Sequence, residues 1–457
     1  LAQVLGPGPF GLIAMTALLS SLSSLVVDSG MSAGLIQSKI LKDEDVVFVF
    51  TLQIIVGLAL AVVLLLAAPP LSRYFHQPQL TSLIPFVSLT VLIQSASQVP
   101  IALLKRKFDH KSVQLAQVGS YFAGYALVGI PLALLDAGVW SLIAAQVVQS
   151  ALNLTMVLRG AKHSLKFSLR GDWHLVRFGS NILGANILNW AFSSVDATVL
   201  GRLYGSTTLG IYNRINFLAS TPIGIPLGAA QNILLSGSAH LQSDRERLKR
   251  SFLGVWQVVS ILTWPLLLSM AAVSRTVVEG LYGSKWEVGI PLVAPLAIAV
   301  GVNAHLALMG PVLTGIGKAR EEFRQVAWTF VLASPVILLG GYHSVHALAW
   351  AVVIARVIFL MLMAVPVFTE LGLAPSALVR STAQAIFLGG LIAATVYAAD
   401  CVLIDRPSTL RLFILLGLGA VLYGVVFLAF SRRTLPFEAR DMVKGYGPFR
   451  KLIGSNT

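Results

Sequence analysis

The chain predicts an all-α, polytopic membrane protein, and three observations carry that reading. Hydrophobic residues fill 56% of its 457 positions and charged residues only 11%, with a mean hydropathy of +0.81; an ordinary soluble domain carries about twice that share of charge. The apolar residues fall in runs of about 20 or more, the length that takes a helix across roughly 30 Å of hydrocarbon. They lack the two-residue alternation of barrel strands. Finally, Lys and Arg gather in every second loop, the pattern a membrane imposes on its inward-facing connections.

In chain order the runs lie at about 10–36, 46–70, 82–104, 113–135, 138–158, 178–200, 209–235, 251–273, 291–313, 325–341, 344–366, 383–404 and 409–430, thirteen in all. The loops at 37–45, 105–112, 159–177, 237–250, 314–324 and 367–382, with the tail from 431, hold 25 of the 33 Lys and Arg. The opposite loops hold six, and Arg214 and Arg356 lie inside runs. Basic loops stay cytoplasmic, so these loops and the C-terminus are assigned to the cytoplasmic side of a bacterial inner membrane. Residue 1 then falls outside, and a helix upstream is expected, giving about fourteen helices with both ends cytoplasmic. The same distribution accounts for the formal charge of +14 without a nucleic-acid partner.

The runs group into two six-helix lobes related by a parallel pseudo-two-fold, plus two C-terminal helices. The divisions are an N-terminal lobe at 1–158, a cytoplasmic linker at 159–177, a C-terminal lobe at 178–369, two helices within 370–430 and a basic tail at 431–457. An internal repeat supports them. At an offset of 199, Leu1, Gly6 and Gly11 align with Leu200, Gly205 and Gly210; near an offset of 206, Val139 and Leu142 align with Val345 and Leu348. Six helices per copy is an even number, so the copies run parallel about an axis along the membrane normal. The linker's cations set topology and can meet anionic lipid headgroups. Within 237–250, SDRERLKR reads as a capped, amphipathic helix start.

The stretch 178–232 holds the most informative charges. Asp196 and Arg214 each sit nine positions from Gly205. In a helical hairpin turning around Gly201–Gly205, equal spacing puts both at one depth. An ion in hydrocarbon costs at least about 2.5 kcal/mol, so the two are expected to face each other, either locking the helices or serving a cavity. Asn186, Asn189, Ser193 and Asp196 follow at helical spacing and share one face. Lipid penalises such a face, so it turns toward other helices or a water-filled cavity.

Further amide stripes recur: Gln94, Ser97 and Gln98; Gln114, Gln117 and Tyr121; Gln146, Gln149 and Asn153. Each either forms interhelical hydrogen bonds, worth about 0.6 kcal/mol apiece, or lines a shared polar cavity. Of the charges within helices, four are singled out: Asp28, Asp196, Arg214 and Arg356. Arg356 has no acidic neighbour in sequence and suits an anionic substrate such as a phosphate; the alternative is a snorkelling or paired arginine. Prolines inside the spans, Pro131, Pro222, Pro226, Pro265, Pro335 and Pro366, suit a transporter that moves between states.

Signatures of catalysis are missing. Residues 315–320, GIGKAR, place Ala319 where a phosphate loop needs Ser or Thr, so ATP hydrolysis by this chain is excluded. No His, Cys and carboxylate cluster has metal spacing, and His343 with His346 makes at most a weak pair. No cofactor is expected. Cys401 is the sole cysteine, which rules out an intrachain disulfide.

Several segments, taken in order, carry a family likeness: LGPGPFGLIAM near the start, VVDSGMSAGLIQ, RYFHQPQL, ALLKRKFDHKS, VDATVLGRLYGSTTLGIYNR and QSDRERLKR. Over roughly 1–370 the chain resembles the Wzx-type polysaccharide flippases of the multidrug/oligosaccharidyl-lipid/polysaccharide exporter superfamily. The resemblance implies a lobed bundle that moves an undecaprenyl-pyrophosphate-linked oligosaccharide, a repeat unit of exopolysaccharide, O-antigen or capsule, between leaflets by alternating access. It implies as partners the lipid-linked oligosaccharide, membrane lipids, and a polysaccharide polymerase with its export machinery. The family's acid of the seventh helix would be Asp196, and the arginine after it Arg202 or Arg214.

Two transport alternatives share this architecture. A proton- or sodium-coupled antiporter of drugs or small molecules would want an acidic pocket in the first lobe, where only Asp28 is offered; a flippase for lipid-linked peptidoglycan precursor is the other. A membrane sugar polymerase or ligase would want large outer loops with Arg and His, and the outer loops here are short. A structural scaffold would have no use for charges inside the membrane.

Overall fold

The computed structural model describes residues 1–28, 31–37, 42–161, 166–171, 184, 186–242 and 244–433. These are helical with short turns, and twelve helices among them are long and apolar enough to cross a membrane. The stretch Asn186–His240 is two helices joined at Gly205, and it holds the described part of the run at 178–200 and the whole run at 209–235; the run at 10–36 falls on Pro7–Asp28 and Met31–Gln37, and each of the others lies mainly on one helix. The chain divides into two compact units, Leu1–Asn213 and Arg214–Thr457.

Local chemistry sets the helix ends. Asp43, Glu44 and Asp45 open the helix Asp43–Tyr74, placing negative charge at the positive end of its dipole. The Asp109 carboxylate accepts from Ser112 N (3.0 Å) and caps the helix that follows. Those bonds from Ser112 hold the Asp109 carboxyl below its usual range. In Gln79–Arg106, the hydroxyls of Ser88, Thr90, Ser95 and Ser97 return to carbonyls three or four residues back, which satisfies them without a neighbouring helix.

The first unit has a core of Leu35, Val46, Phe48, Val49, Phe50, Val99 and Ala102. The middle of the expected linker is docked on it. Phe167 packs against Phe50 (ring centroids 5.9 Å apart), Ser168 N donates to Thr51 Oγ1 (2.9 Å), and Gly171 lies where a Cβ would stand 2.4 Å from Phe48. Residues 162–165 and 172–177 of that linker, and 434–457 of the basic tail, lie outside the described residues.

The repeat seen in the sequence recurs in the backbone. Gly6 has φ 71° and ψ −177°, and Gly205 has φ 79° and ψ −177°, a region that in practice only glycine occupies. Both turns interrupt a helix at the same point of the aligned segments. The two copies also touch. A Cβ on Gly11 would stand 1.6 Å from Ser206 O, and one on Gly210 would stand 2.1 Å from Pro7 O and 2.7 Å from Gly11 N. Backbone meets backbone here. At the second place of similarity, Val139 and Val345 each begin a helix, and Leu142 and Leu348 are both buried.

These contacts explain where the units divide. The division by packing falls at Arg214; Gly210 meets Pro7 and Gly11, and Trp190 Nε1 donates to Ser21 Oγ (2.8 Å), so these residues pack with the first unit. Within the second unit, Asp244 caps Arg245–Ala272 by accepting from Arg247 N (3.0 Å), the capped start that SDRERLKR predicts. Ser344 caps Val345–Leu371 in the same way through Ala347 N (3.0 Å). The Glu370 carboxylate pairs with both Arg245 and Lys318.

Pro375–Val402 and Ser408–Arg433 are fastened to this unit by a buried group of three. Asp400 Oδ1 accepts from Arg411 Nη2 (2.6 Å), from Arg411 Nε (3.0 Å) and from Thr276 Oγ1 (2.8 Å).

Candidate functional site

Asp196 lies in the first turn of the helix Val195–His240, half-buried, where unpaired backbone N–H groups favour a carboxylate. Its Oδ1 accepts from Ala197 N (2.8 Å) and its Oδ2 from the Tyr212 hydroxyl (2.6 Å). Sixteen residues of straight helix would span about 24 Å. The bond to Tyr212 therefore requires the chain to fold back at Gly205, and Leu209 does lie 3.3 Å from a Cβ built on Gly201. The expected hairpin is present. The hydroxyl that meets Asp196 is that of Tyr212, two residues before Arg214.

The Tyr212 hydroxyl is a buried donor to a carboxylate, so Tyr212→Phe is expected to cost about 1.5–3 kcal/mol. A lowered midpoint of thermal unfolding in detergent is the expected result. A midpoint equal to wild type would remove Tyr212 as the partner that matters.

The other candidates divide by unit and by environment. Arg202 donates to the His76 ring (2.7 Å to Nε2) and lies 5.2 Å from the Tyr74 ring centroid, so it is engaged with the RYFHQPQL loop. Gln94 Oε1 accepts from Ser24 Oγ (3.0 Å), an interhelical bond. Gln98, Gln146 and Gln149 are half-buried, while Asn186, Asn189 and Asp28 are exposed. On His110–Phe122 the packed residues are Val113, Ala116 and Ser120. Gln114 and Gln117 lie on its exposed side, away from the residues packed against neighbouring helices.

In the second unit, the Arg214 guanidinium lies 5.4 Å from the Phe217 ring centroid and 5.7 Å from that of Tyr282. Burial raises the Tyr282 hydroxyl above its ordinary range, and the Arg214 charge opposes that shift. Tyr282 stays protonated and able to donate. One turn along from Arg214, Leu218 begins the lining of an apolar cavity of about 480 Å³. Leu281, the neighbour of Tyr282, lines it too, together with Pro222, Pro226, Met270 and Leu412. Arg214 thus lies one helical turn from the lining of an apolar slot. Arg356 is half-buried within Val345–Leu371.

Sequence reasoning passed over Tyr212, His76, Asp400 and His305. Asp400 and His305 are isolated polar residues in apolar runs, a signal present in the sequence. His76 and Tyr212 lie inside segments that carry the family likeness but were weighed there only as motif letters.

Residues 1–291 match the model of a family described as polysaccharide biosynthesis protein. Among curated relatives, the succinoglycan biosynthesis transport protein ExoT of Rhizobium meliloti (strain 1021) is 25% identical over 78% of this chain and 73% of that protein. The lipopolysaccharide biosynthesis protein WzxC of Escherichia coli (strain K12) is 24% identical over 75% and 70%. The teichuronic acid biosynthesis protein TuaB of Bacillus subtilis (strain 168) is 23% identical over 74% and 70%. Among solved structures, the lipid II flippase MurJ in its inward closed conformation aligns with a TM-score of 0.76 at 13% identity, over 94% of this chain and 93% of that one. An inward-facing multidrug resistance MATE family transporter of the MOP superfamily gives 0.62 at 15% identity, over 83% and 93%. At such identities the likeness shows the fold alone, one shared with these two structures. With the family match covering well over half of the chain, and the glycine turns and helical hairpin falling inside it, this chain belongs to the polysaccharide biosynthesis protein family.

Proposed function

We propose that the chain is a transporter, not an enzyme, that carries a polyprenyl-diphosphate-linked oligosaccharide from the inner to the outer leaflet of the bacterial cytoplasmic membrane by alternating access. The observation that carries this reading is the cation beside the apolar slot. Arg214, over Tyr282, suits a diphosphate, which a guanidinium binds through two parallel hydrogen bonds. The slot beyond Leu218 suits a hydrocarbon chain, since it offers the prenyl group surroundings like those of the bilayer. The names of the relatives, all concerned with glycan polymers, support a sugar rather than a drug as cargo. Basic loops on the cytoplasmic side, and a polymerase and export machinery acting after delivery, belong to the same proposal.

The test is the full chain in vesicles loaded with a lipid-linked oligosaccharide, scoring its arrival in the opposite leaflet. Loss of a hydrogen bond to a charged group costs about 1.5–3 kcal/mol, so Arg214→Ala is expected to slow delivery by roughly 10- to 100-fold. Arg356→Ala is expected to reduce delivery without loss of folded protein. Absence of any delivery by well-folded wild type would end this reading.

A further inference from the structure

A buried histidine stands apart from Arg214 and the apolar slot. Along Arg245–Ala272, Val259, Leu262, Thr263, Leu266 and Met270 line the slot. Trp256, Ser260 and Trp264 follow at four-residue intervals on an adjacent face and meet Ile290–Leu306 at His305. The His305 residue is only 2% exposed. Its Nδ1 lies 2.8 Å from Gly301 O and its Nε2 lies 2.8 Å from Ser260 Oγ. Ser260 Oγ is in turn 2.9 Å from Trp256 O. The ring packs between Trp256 (centroids 4.5 Å apart, edge-on) and Trp264 (6.0 Å apart, stacked). Trp256 is itself fixed by a bond from its Nε1 to Thr382 Oγ1 (3.0 Å). Gly301 makes room for the stack, since a Cβ there would fall 2.9 Å from the Trp264 ring.

The hydrogen bonds decide what this arrangement can hold. A carbonyl oxygen only accepts, so Nδ1 carries a proton in every state. With Nε2 unprotonated, the Ser260 hydroxyl donates to it. With Nε2 protonated, its N–H donates to Ser260 Oγ, and the hydroxyl turns to the Trp256 carbonyl. Both protonation states are satisfied by rotating one hydroxyl. A histidine serving packing alone needs partners for only one of them. The stacked face of Trp264, 6.0 Å away between centroids, can meet an imidazolium through a cation–π contact.

The elements packed on this helix include Arg245–Ala272, Val345–Leu371, Ser274–Tyr282 and 284–289. Their titratable side chains include Arg250, Arg356, Arg275, Glu279, Lys285 and Glu287, while the contacts of the ring are with Gly301 O, Ser260 Oγ, Trp256 and Trp264.

We propose that His305 is a proton-binding site inside the membrane, charged and discharged once per transport cycle. Proton binding forms one N–H bond at Nε2 from an aqueous proton and breaks none in the protein. Because the ring is sealed, exchange requires the helices to part, and that requirement ties the proton to the conformational cycle. The use of the proton rests on the transport reading above; the site itself does not.

Two measurements separate them. An imidazolium against an indole quenches its fluorescence, so the full chain in lipid nanodiscs is expected to show a pH-dependent fluorescence step. His305→Gln should abolish that step, and Ser260→Ala, which removes the acceptor for the protonated form, should move it to lower pH. His346→Gln is the control, since His346 is bonded to Trp350 (3.2 Å) and not to the indoles around His305. In vesicles, one proton per cycle turns a gradient of about one pH unit into at most about a tenfold accumulation ratio; in His305→Gln that ratio should fall to unity. A fluorescence profile unchanged by both His305→Gln and Ser260→Ala would overturn the site, and wild-type delivery indifferent to the gradient would overturn the coupling. If no oligosaccharide moves while the His305 step persists, the cargo reading fails and the proton site stands.

Discussion

Gly210→Val is expected to prevent the first unit from assembling. The atoms a side chain would meet at 210 are Pro7 O, Gly11 N and Gly11 Cα, at 2.1, 2.7 and 3.1 Å. None belongs to a side chain that could swing aside, so the crossing segments must separate. Overpacking of a core costs about 1–3 kcal/mol when side chains can adjust, and backbone against backbone places this site at or above the top of that range. Small residues at such crossings are what let helix backbones approach in a membrane. Gly224→Ala and Gly228→Ala are the controls, since nothing lies within 4 Å of a Cβ at either position. Monodisperse yield and unfolding midpoint in detergent are the readouts. A Gly210→Val protein as stable as the controls would mean that the two repeat copies do not cross as described.

Asp400→Ala is the second large effect. The Asp400 and Arg411 side chains are 11% and 10% exposed, so removing the carboxylate strands a guanidinium in a closed site. Breaking a buried pair from one side costs about 3–5 kcal/mol. Replacing both partners by apolar groups of similar size is often neutral, so Asp400→Leu with Arg411→Met should recover most of the loss. The unfolding midpoint of the two variants checks both claims. A double variant no better than the single one would show that the group of three contributes more than the cost of an orphaned charge.

Much of this architecture was legible from the chain because the bilayer allows so few solutions. An apolar run of sufficient length has to be a helix, and among the described residues the runs are helical. The hairpin at Gly205 and the cap at Asp244 were legible for local reasons, a glycine turn between two runs and an acid before RERLKR. The bond from Tyr212 to Asp196 was not. Counting positions from the turn fixed depth, but two residues along a helix rotate the side chain by about 200°, so Tyr212 and Arg214 point in nearly opposite directions. The search for an opposite charge also set aside a hydroxyl, which serves a half-buried carboxylate equally well. Helical spacing correctly grouped Gln114 with Gln117, yet spacing cannot say what a shared face meets. For His305, only the Gly301 carbonyl four residues back was readable; Ser260 arrives from 45 residues away.

The turn at Gly205 has a consequence for chirality. The nearest atom to a Cβ built there is Gln77 Nε2, at 3.7 Å, so handedness rather than crowding reserves the position for glycine. Reflected, its dihedral angles fall near the polyproline region that ordinary residues favour. A D-alanine introduced at 205 by chemical ligation would rest in its own preferred basin while an L-alanine would not, and the same holds for its counterpart, Gly6.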